Sequence, residues 1–259
     1  MQPNTFKAIA LSFLLSLCSG SNAAVGIPIE GPAKASFSSK EPTMTMLMEA
    51  ERPAKATILF LPGGDGVVPI KEGMTEPRNP FTLGVFGPLI KSGYNVVIVG
   101  TPYPINHGRN PTITNDRLDR IESVIKFYGE KLKAPIWLMG HSTGGLQVIE
   151  FANRATENLK LLRGLIMSGS RHESSFSSEV KLPALFVHHR RDGCPGTQHS
   201  DLTVVFEKYK QTNNSDSKFV TIEGGTGDTD NPCYNMKGHH MYNGAYQEVA
   251  EALERNLAK

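Results

Sequence analysis

Six short runs of apolar residues recur along the chain: ATILFLP (56–62), YNVVIVG (94–100), APIWLMG (134–140), RGLIMSG (163–169), PALFVHH (183–189) and KFVTIEG (218–224). Each is continuous rather than alternating. A strand with one wet face alternates apolar and polar positions, so continuous runs of this length predict strands covered on both faces. Between them the apolar period changes to that of a helix. The stretch 115–132 places Leu118, Ile121, Ile125 and Leu132 near one face, with Asp, Arg and Glu elsewhere. The stretch 144–157 carries Leu146, Ile149 and Phe151, and 202–209 and 245–257 read similarly. Strand and helix in repeated alternation predict a parallel sheet with helices on both faces. TMTMLMEA (43–50) adds a candidate edge strand. The connection over 170–182 is Ser-rich, polar and too short for a folded cap.

Length and composition narrow this picture. The chain has 259 residues, 39% of them hydrophobic and 20% charged, which excludes a disordered chain and a membrane bundle. No repeat or Gly/Ser linker interrupts residues 25–259, which are read as one domain. The formal net charge is +2 without a long Lys/Arg cluster, so the basic footprint of a nucleic-acid binder is missing. The first 24 residues have a positive Lys7, a short apolar core from Ala8 to Leu17 and small residues at Ser21-Asn22-Ala23-Ala24. That pattern predicts a secretory signal peptide, hence an exported protein, periplasmic or secreted, with no stable membrane insertion after its removal. Of three cysteines, Cys18 leaves with the signal. Cys194 and Cys233 remain as an even pair in an oxidising setting, which predicts a disulfide.

Candidate chemistry centres on WLMGHSTGGLQV (137–148). Interior glycines weaken a helix by about 1 kcal/mol each relative to alanine, so Gly140, Gly144 and Gly145 call for a compensating role. Gly140-His141-Ser142-Thr143-Gly144 is G-x-S-x-G at a strand-to-helix junction, where a sharp turn projects a serine hydroxyl above the sheet. A serine is a poor nucleophile without a base, and the base needs an orienting carboxylate. Asp192 follows a strand end, where open α/β sheets carry their working residues. His239 and His240 lie in a loop before the last helix. His239, directly after Gly238, is the preferred base and His240 the alternative. Cys194 lies two residues after Asp192 and Cys233 six before His239, so their bond would tie the acid loop to the base loop.

An acyl-transfer intermediate also needs oxyanion donors. The glycine-rich LFLPGGDGVV (60–68) follows a strand, and backbone N–H groups of Gly64 or Asp65, together with Thr143, are the candidates. The loop lacks the G-K-[ST] ending of a phosphate cradle. DTDNPCYNMKGH (228–239) begins like a calcium loop but has cysteine at its sixth position and histidine at its twelfth. No zinc-ligand spacing occurs either, so neither metal nor cofactor is expected.

The segments LPGGDG, GHSTGG, HHRRDGCPGT and PCYNMKGHHMY together resemble the α/β-hydrolase superfamily over nearly the whole mature chain. More narrowly, the chain is similar to small, capless, exported bacterial members of unassigned substrate. The resemblance implies a mostly parallel sheet of about eight strands without a cap domain. It assigns Ser142 as nucleophile, Asp192 as acid and His239 as base, the doubled His239-His240 keeping the last assignment open. The function so implied is a serine hydrolase of small ester or related acyl substrates, with peptidase or amidase action as a variant. A non-catalytic exported binding protein on the same fold is the contrasting reading.

Overall fold

A computed structural model describes residues 24–29, 41–73, 79–105, 113–154, 157–227 and 230–257. Apart from Ala24, the expected signal peptide lies outside the described residues. Every one of the six apolar runs contains a strand. These are β3 (Ala56–Leu61), β4 (Tyr94–Val99), β5 (Ile136–His141), β6 (Gly164–Ser168), β7 (Ala184–His189) and β8 (Lys218–Ile222). The candidate edge strand is β2 (Thr43–Met48), and β1 (Val25–Ile29), which no pattern announced, precedes it. All eight form one sheet in the order β1-β2-β4-β3-β5-β6-β7-β8. The β1–β2 and β2–β4 pairs are antiparallel and the others parallel.

The continuity of the apolar runs has a direct cause. Every residue of β3, β4, β5, β6 and β7 is buried. One face is covered by α2 (Asn115–Leu132), α3 (Thr143–Arg154) and α4 (His199–Thr212), and the other by α1 (Pro80–Lys91) and α5 (Tyr246–Leu257). Between β6 and β7 only residues 169–183 intervene, without a helix among them, so no cap stands over the sheet.

Helix α1 corrects the sequence reading, which placed no helix between the apolar runs at 56–62 and 94–100. Asn79 accepts hydrogen bonds from the Phe81 and Thr82 N–H groups at 2.9 and 3.4 Å, and Pro80 opens the helix. Both are ordinary start signals. Gly84, Gly87 and Pro88 inside the helix hide it from any propensity argument. Gly84 has a packing reason: a Cβ there would lie 2.4 Å from the Tyr246 ring of α5.

Polar burial is concentrated where α2 and α3 meet the end of β4. The Arg117 guanidinium is wholly buried. Its Nε donates to Gln147 Oε1 at 2.7 Å, Nη1 to the Gly100 carbonyl at 2.7 Å and Nη2 to the Val99 carbonyl at 3.4 Å. Burial lowers its pKa to about 10, which leaves it charged at neutral pH. One turn on, Arg120 pairs with Asp116 at 2.8 Å, and Asp116 also takes a short hydrogen bond from the Tyr103 hydroxyl. Arg117 thus anchors the chain as it leaves β4 toward residues 101–105. We predict that Arg117→Met, which strands three buried acceptors, destabilises the protein by about 3 kcal/mol. Urea unfolding against the parent measures this.

Candidate active site

The strand order reverses at β3, which has β4 on one side and β5 on the other. Such a switch point opens a crevice at the carboxyl ends of the strands, and the two loops leaving β3 and β5 meet there. Ser142 stands between β5 and α3 with φ = 54°, in the left-handed region that side chains other than glycine rarely adopt. Three backbone bonds hold it: its N–H donates to the Ser168 carbonyl at 3.0 Å, and its carbonyl accepts from Gly145 at 2.9 Å and Arg171 at 3.4 Å. The glycines of G-x-S-x-G answer to contact distances. A Cβ on Gly144 would lie 2.0 Å from the Leu61 carbonyl oxygen, and one on Gly140 would lie 2.2 Å from the Gly144 carbonyl oxygen. Gly63 presses the β3 loop against the same turn, where a Cβ would stand 2.8 Å from Ser142 Cβ.

Asp192 follows β7 and is buried. Its Oδ1 accepts the Cys194 N–H at 2.9 Å. Its Oδ2 takes the Thr197 hydroxyl at 3.0 Å and His240 Nδ1 at 2.8 Å, with His188 Nε2 3.3 Å away. Burial by itself would raise this carboxyl, but the hydrogen bonds from His188 and His240 outweigh it and hold the group well below the usual carboxylate range. An ionised carboxylate only accepts, so Nδ1 of His240 carries a proton, and in the neutral ring that tautomer leaves Nε2 as the acceptor.

Of the two neighbouring histidines, it is His240, the alternative in the sequence reading, that Asp192 bonds. The His239 ring stacks on His189 with 4.3 Å between centroids, and its Nδ1 is buried without a hydrogen-bond partner among the described residues. Residues His239–Met241 form a 3₁₀ turn, in which consecutive side chains point about 120° apart, so two neighbouring histidines cannot both face Asp192. The turn is set by Tyr242, whose hydroxyl donates to the Val187 carbonyl at 2.7 Å on β7. Neither Tyr242 nor Thr197 carried a signal in the sequence beyond its nearness to His240 or Asp192.

A second buried network lies behind His240. The Tyr242 proton goes to Val187, so Ser168 Oγ, 3.1 Å from the Tyr242 hydroxyl, is the donor between them. His141 Nδ1, 3.1 Å from Ser168 Oγ, then donates in turn. The His141 ring is wedged between Phe81 and His240, with 4.9 Å between centroids in each case. Burial first, and then the His240 ring, push the His141 imidazole well below its ordinary value.

Ser142, His141, His240, Gly63 and Gly64 share the wall of one cavity of about 530 Å³. Thr143 opens α3 directly behind the serine. Asp65 does not line the cavity: its side chain accepts the Val67 N–H at 3.0 Å, and its carbonyl accepts from Ile105 at 2.9 Å. Cys194 and Cys233 are joined, with Cα atoms 4.6 Å apart. Cys233 itself lines the cavity, so the bridge ties the segment after Asp192 to the cavity wall. Among the described residues no group of three or more His, Cys, Asp or Glu side chains is placed to hold a metal.

This architecture recurs in solved structures. A lidless α/β serine hydrolase of Xanthomonas campestris superposes with a TM-score of 0.59 over 90% of this chain and 94% of that one, at 14% identity. The chain has the α/β-hydrolase fold. The Pyrococcus furiosus esterase Pf2001 matches at TM-score 0.59 and 13% identity, over 92% of this chain and 94% of its own. Est1E of Butyrivibrio proteoclasticus, solved with ferulic acid, matches at 0.57 and 17%, over 84% and 96%. No family model and no curated relative matches the sequence.

The electrostatics of the site make stability depend on pH in one direction. His141 is depressed in the folded state, so the unfolded chain takes up a proton near pH 6.5 that the folded one refuses. Stability is full above that value and declines as the pH falls below it. Asp192, also depressed, adds a further loss that begins near pH 4. We expect the urea midpoint to drop between pH 7.5 and pH 5, and His141→Asn to make that drop smaller.

Proposed function

We propose that the protein is a serine hydrolase that cleaves small esters or related acyl compounds through an acyl-enzyme. The observation that carries this reading is the 2.8 Å hydrogen bond from His240 Nδ1 to Asp192, with His240 and the strained Ser142 on one cavity wall. In this reading Ser142 Oγ attacks the substrate carbonyl carbon while His240 Nε2 accepts its proton. Asp192 stays ionised and holds the imidazole in the required tautomer. The backbone N–H groups of Gly64 and Thr143 receive the developing oxyanion. His240 then returns the proton to the departing alcohol. Water enters by the same base catalysis and releases the acid, leaving Ser142 restored.

The choice of His240 over His239 follows from its partner. A general base must be oriented by a third group, and Asp192 bonds His240. Support from outside the chain comes from fold-mates described as serine hydrolases and esterases. Export belongs to the same proposal. The signal-like leader and the Cys194–Cys233 bridge fit an oxidising compartment, and among the described residues no helix is long and apolar enough to cross a membrane.

A fluorophosphonate probe should label the native protein and fail to label Ser142→Ala; a folded native protein that resists labelling supports the non-catalytic binder instead. In an ester assay, His240→Asn should lower kcat by about 10³-fold or more, whereas His239→Asn should lower it by less than about tenfold. The reverse ranking would return the base to His239.

The bridge should matter to both stability and turnover. With its cysteines 39 positions apart in the chain, its loss costs about 4 kcal/mol on the chain-entropy account. Cys194→Ser should melt at a lower temperature and show reduced kcat/KM. Equal melting and equal activity would deny the bridge any part in positioning the site.

A further inference from the structure

The cavity beside Ser142 does not stop at the reacting groups. It continues across the sheet on the α1 side, over Phe60, Ile98 and Met46. These three form one row: Phe60 pairs with Ile98 between β3 and β4, and Ile98 with Met46 between β4 and β2. In sheet order the path from Ser142, just past the end of β5, to Met46 on β2 crosses β3 and β4. Three strand spacings of about 4.8 Å put Met46 some 14 Å from the strand that bears the serine. Phe81 of α1 and Ile70, both buried, line the cavity as well.

The chemistry of this wall is uniform. Among the described residues no Asp, Glu, Lys or Arg lines the cavity. Asn79 has its side-chain oxygen committed to the α1 amides. A carboxylate or ammonium placed here would lose its hydration with no opposite charge among the described lining residues to pair it. An apolar chain would be favoured by burial at every carbon.

We propose that this cavity is the acyl site, selecting an uncharged, apolar acyl group of about six to ten carbons, with Met46 as the stop at its far end. The inference rests on the function proposed above. The acyl group, and not the alcohol, occupies the blind end because it stays bonded to Ser142 while the alcohol must leave and water must arrive. The exposed side chains of Val67 and Tyr234 at the rim face that traffic. The length follows from volume. At about 30 Å³ per water-sized group, 530 Å³ holds about 18 such groups, shared among chain, ester, attacking water and mouth.

p-Nitrophenyl esters with acyl chains of two to twelve carbons test this. The expected kcat/KM rises about fourfold for each added methylene to an optimum at about eight carbons and then falls. Met46→Phe should move the optimum to shorter chains and Met46→Ala to longer ones. A terminal carboxylate on an otherwise optimal chain should cost at least about 100-fold. A flat acyl series, or one that climbs only when the alcohol is lengthened on a fixed acetyl group, overturns the inference while leaving the hydrolase reading intact. Absence of both hydrolysis and fluorophosphonate labelling sinks the hydrolase reading instead. The cavity is then read without catalysis, from the affinity of alkyl methyl ketones for Ser142→Ala. Affinity that tightens about fourfold per methylene supports an apolar-chain site, and affinity independent of length overturns it.

Discussion

Everything in this site depends on how closely three backbone segments approach one another at the Ser142 turn. The end of β5, the first turn of α3 and the chain leaving β3 meet where the Cβ positions of Gly140 and Gly144 coincide with neighbouring carbonyl groups. No side chain fits there, so three close-packed peptides take the place of a core residue. That packing holds Ser142 at φ = 54°, a conformation that costs of order 1–3 kcal/mol and persists only where the surroundings over-determine it. Hydrogen bonds from Gly145 and Arg171, and to Ser168, supply that determination. The same contacts bring the Gly63-Gly64 loop to the serine. The turn that strains Ser142, the candidate nucleophile, therefore also places its candidate oxyanion donors.

Around this turn the polar groups fall into two layers with opposite tasks. The layer of Asp192, Thr197 and His240 keeps a carboxylate ionised and an imidazole in one tautomer. The layer of His141, Ser168 and Tyr242 passes its hydrogen bonds in one direction, toward the Val187 carbonyl, and keeps His141 neutral behind the base. In the proposed reaction, a second charged imidazole at that position would disfavour protonation of His240. Holding His141 neutral by burial removes that conflict, and the corresponding cost is acid sensitivity of the fold.

The cavity adds a third element, formed from strand pairing instead of loops. Its floor is a row of side chains on β3, β4 and β2 at one height in the sheet. The antiparallel β2 matters for this reason: it closes the cavity on the side away from the serine with Met46, and its partner β1 protects it from being an edge. The Cys194–Cys233 bridge closes the opposite wall. The two ends of the cavity are thus secured by different means, one by a ladder of backbone hydrogen bonds and one by a covalent link.

Local signals were legible from the residues alone. Continuous apolar runs located six strands, five of them buried along their whole length while the edge strand β8 is only partly covered, and the glycine spacing around Ser142 announced a turn, although the room left by Gly144 is taken by Leu61 of distant β3. Asp192 and the pair of cysteines were also found, each from its place after a strand end or from parity. Helix α1 was lost to Gly84, Gly87 and Pro88, of which Gly84 answers to the Tyr246 ring on a distant helix. His240 could not be told from His239, since a 3₁₀ turn rotates neighbours by about 120° and its rotation is fixed by Tyr242 gripping β7. The cavity was equally invisible, because Met46, Ile98 and Phe60 become neighbours only through the strand order β2-β4-β3. The chain by itself thus determined seven of the eight strands and the turn that bears Ser142, as apolar continuity and glycine spacing are local features. Which imidazole meets the carboxylate, and what shape of molecule the site admits, were decided by register and packing between residues far apart in the chain.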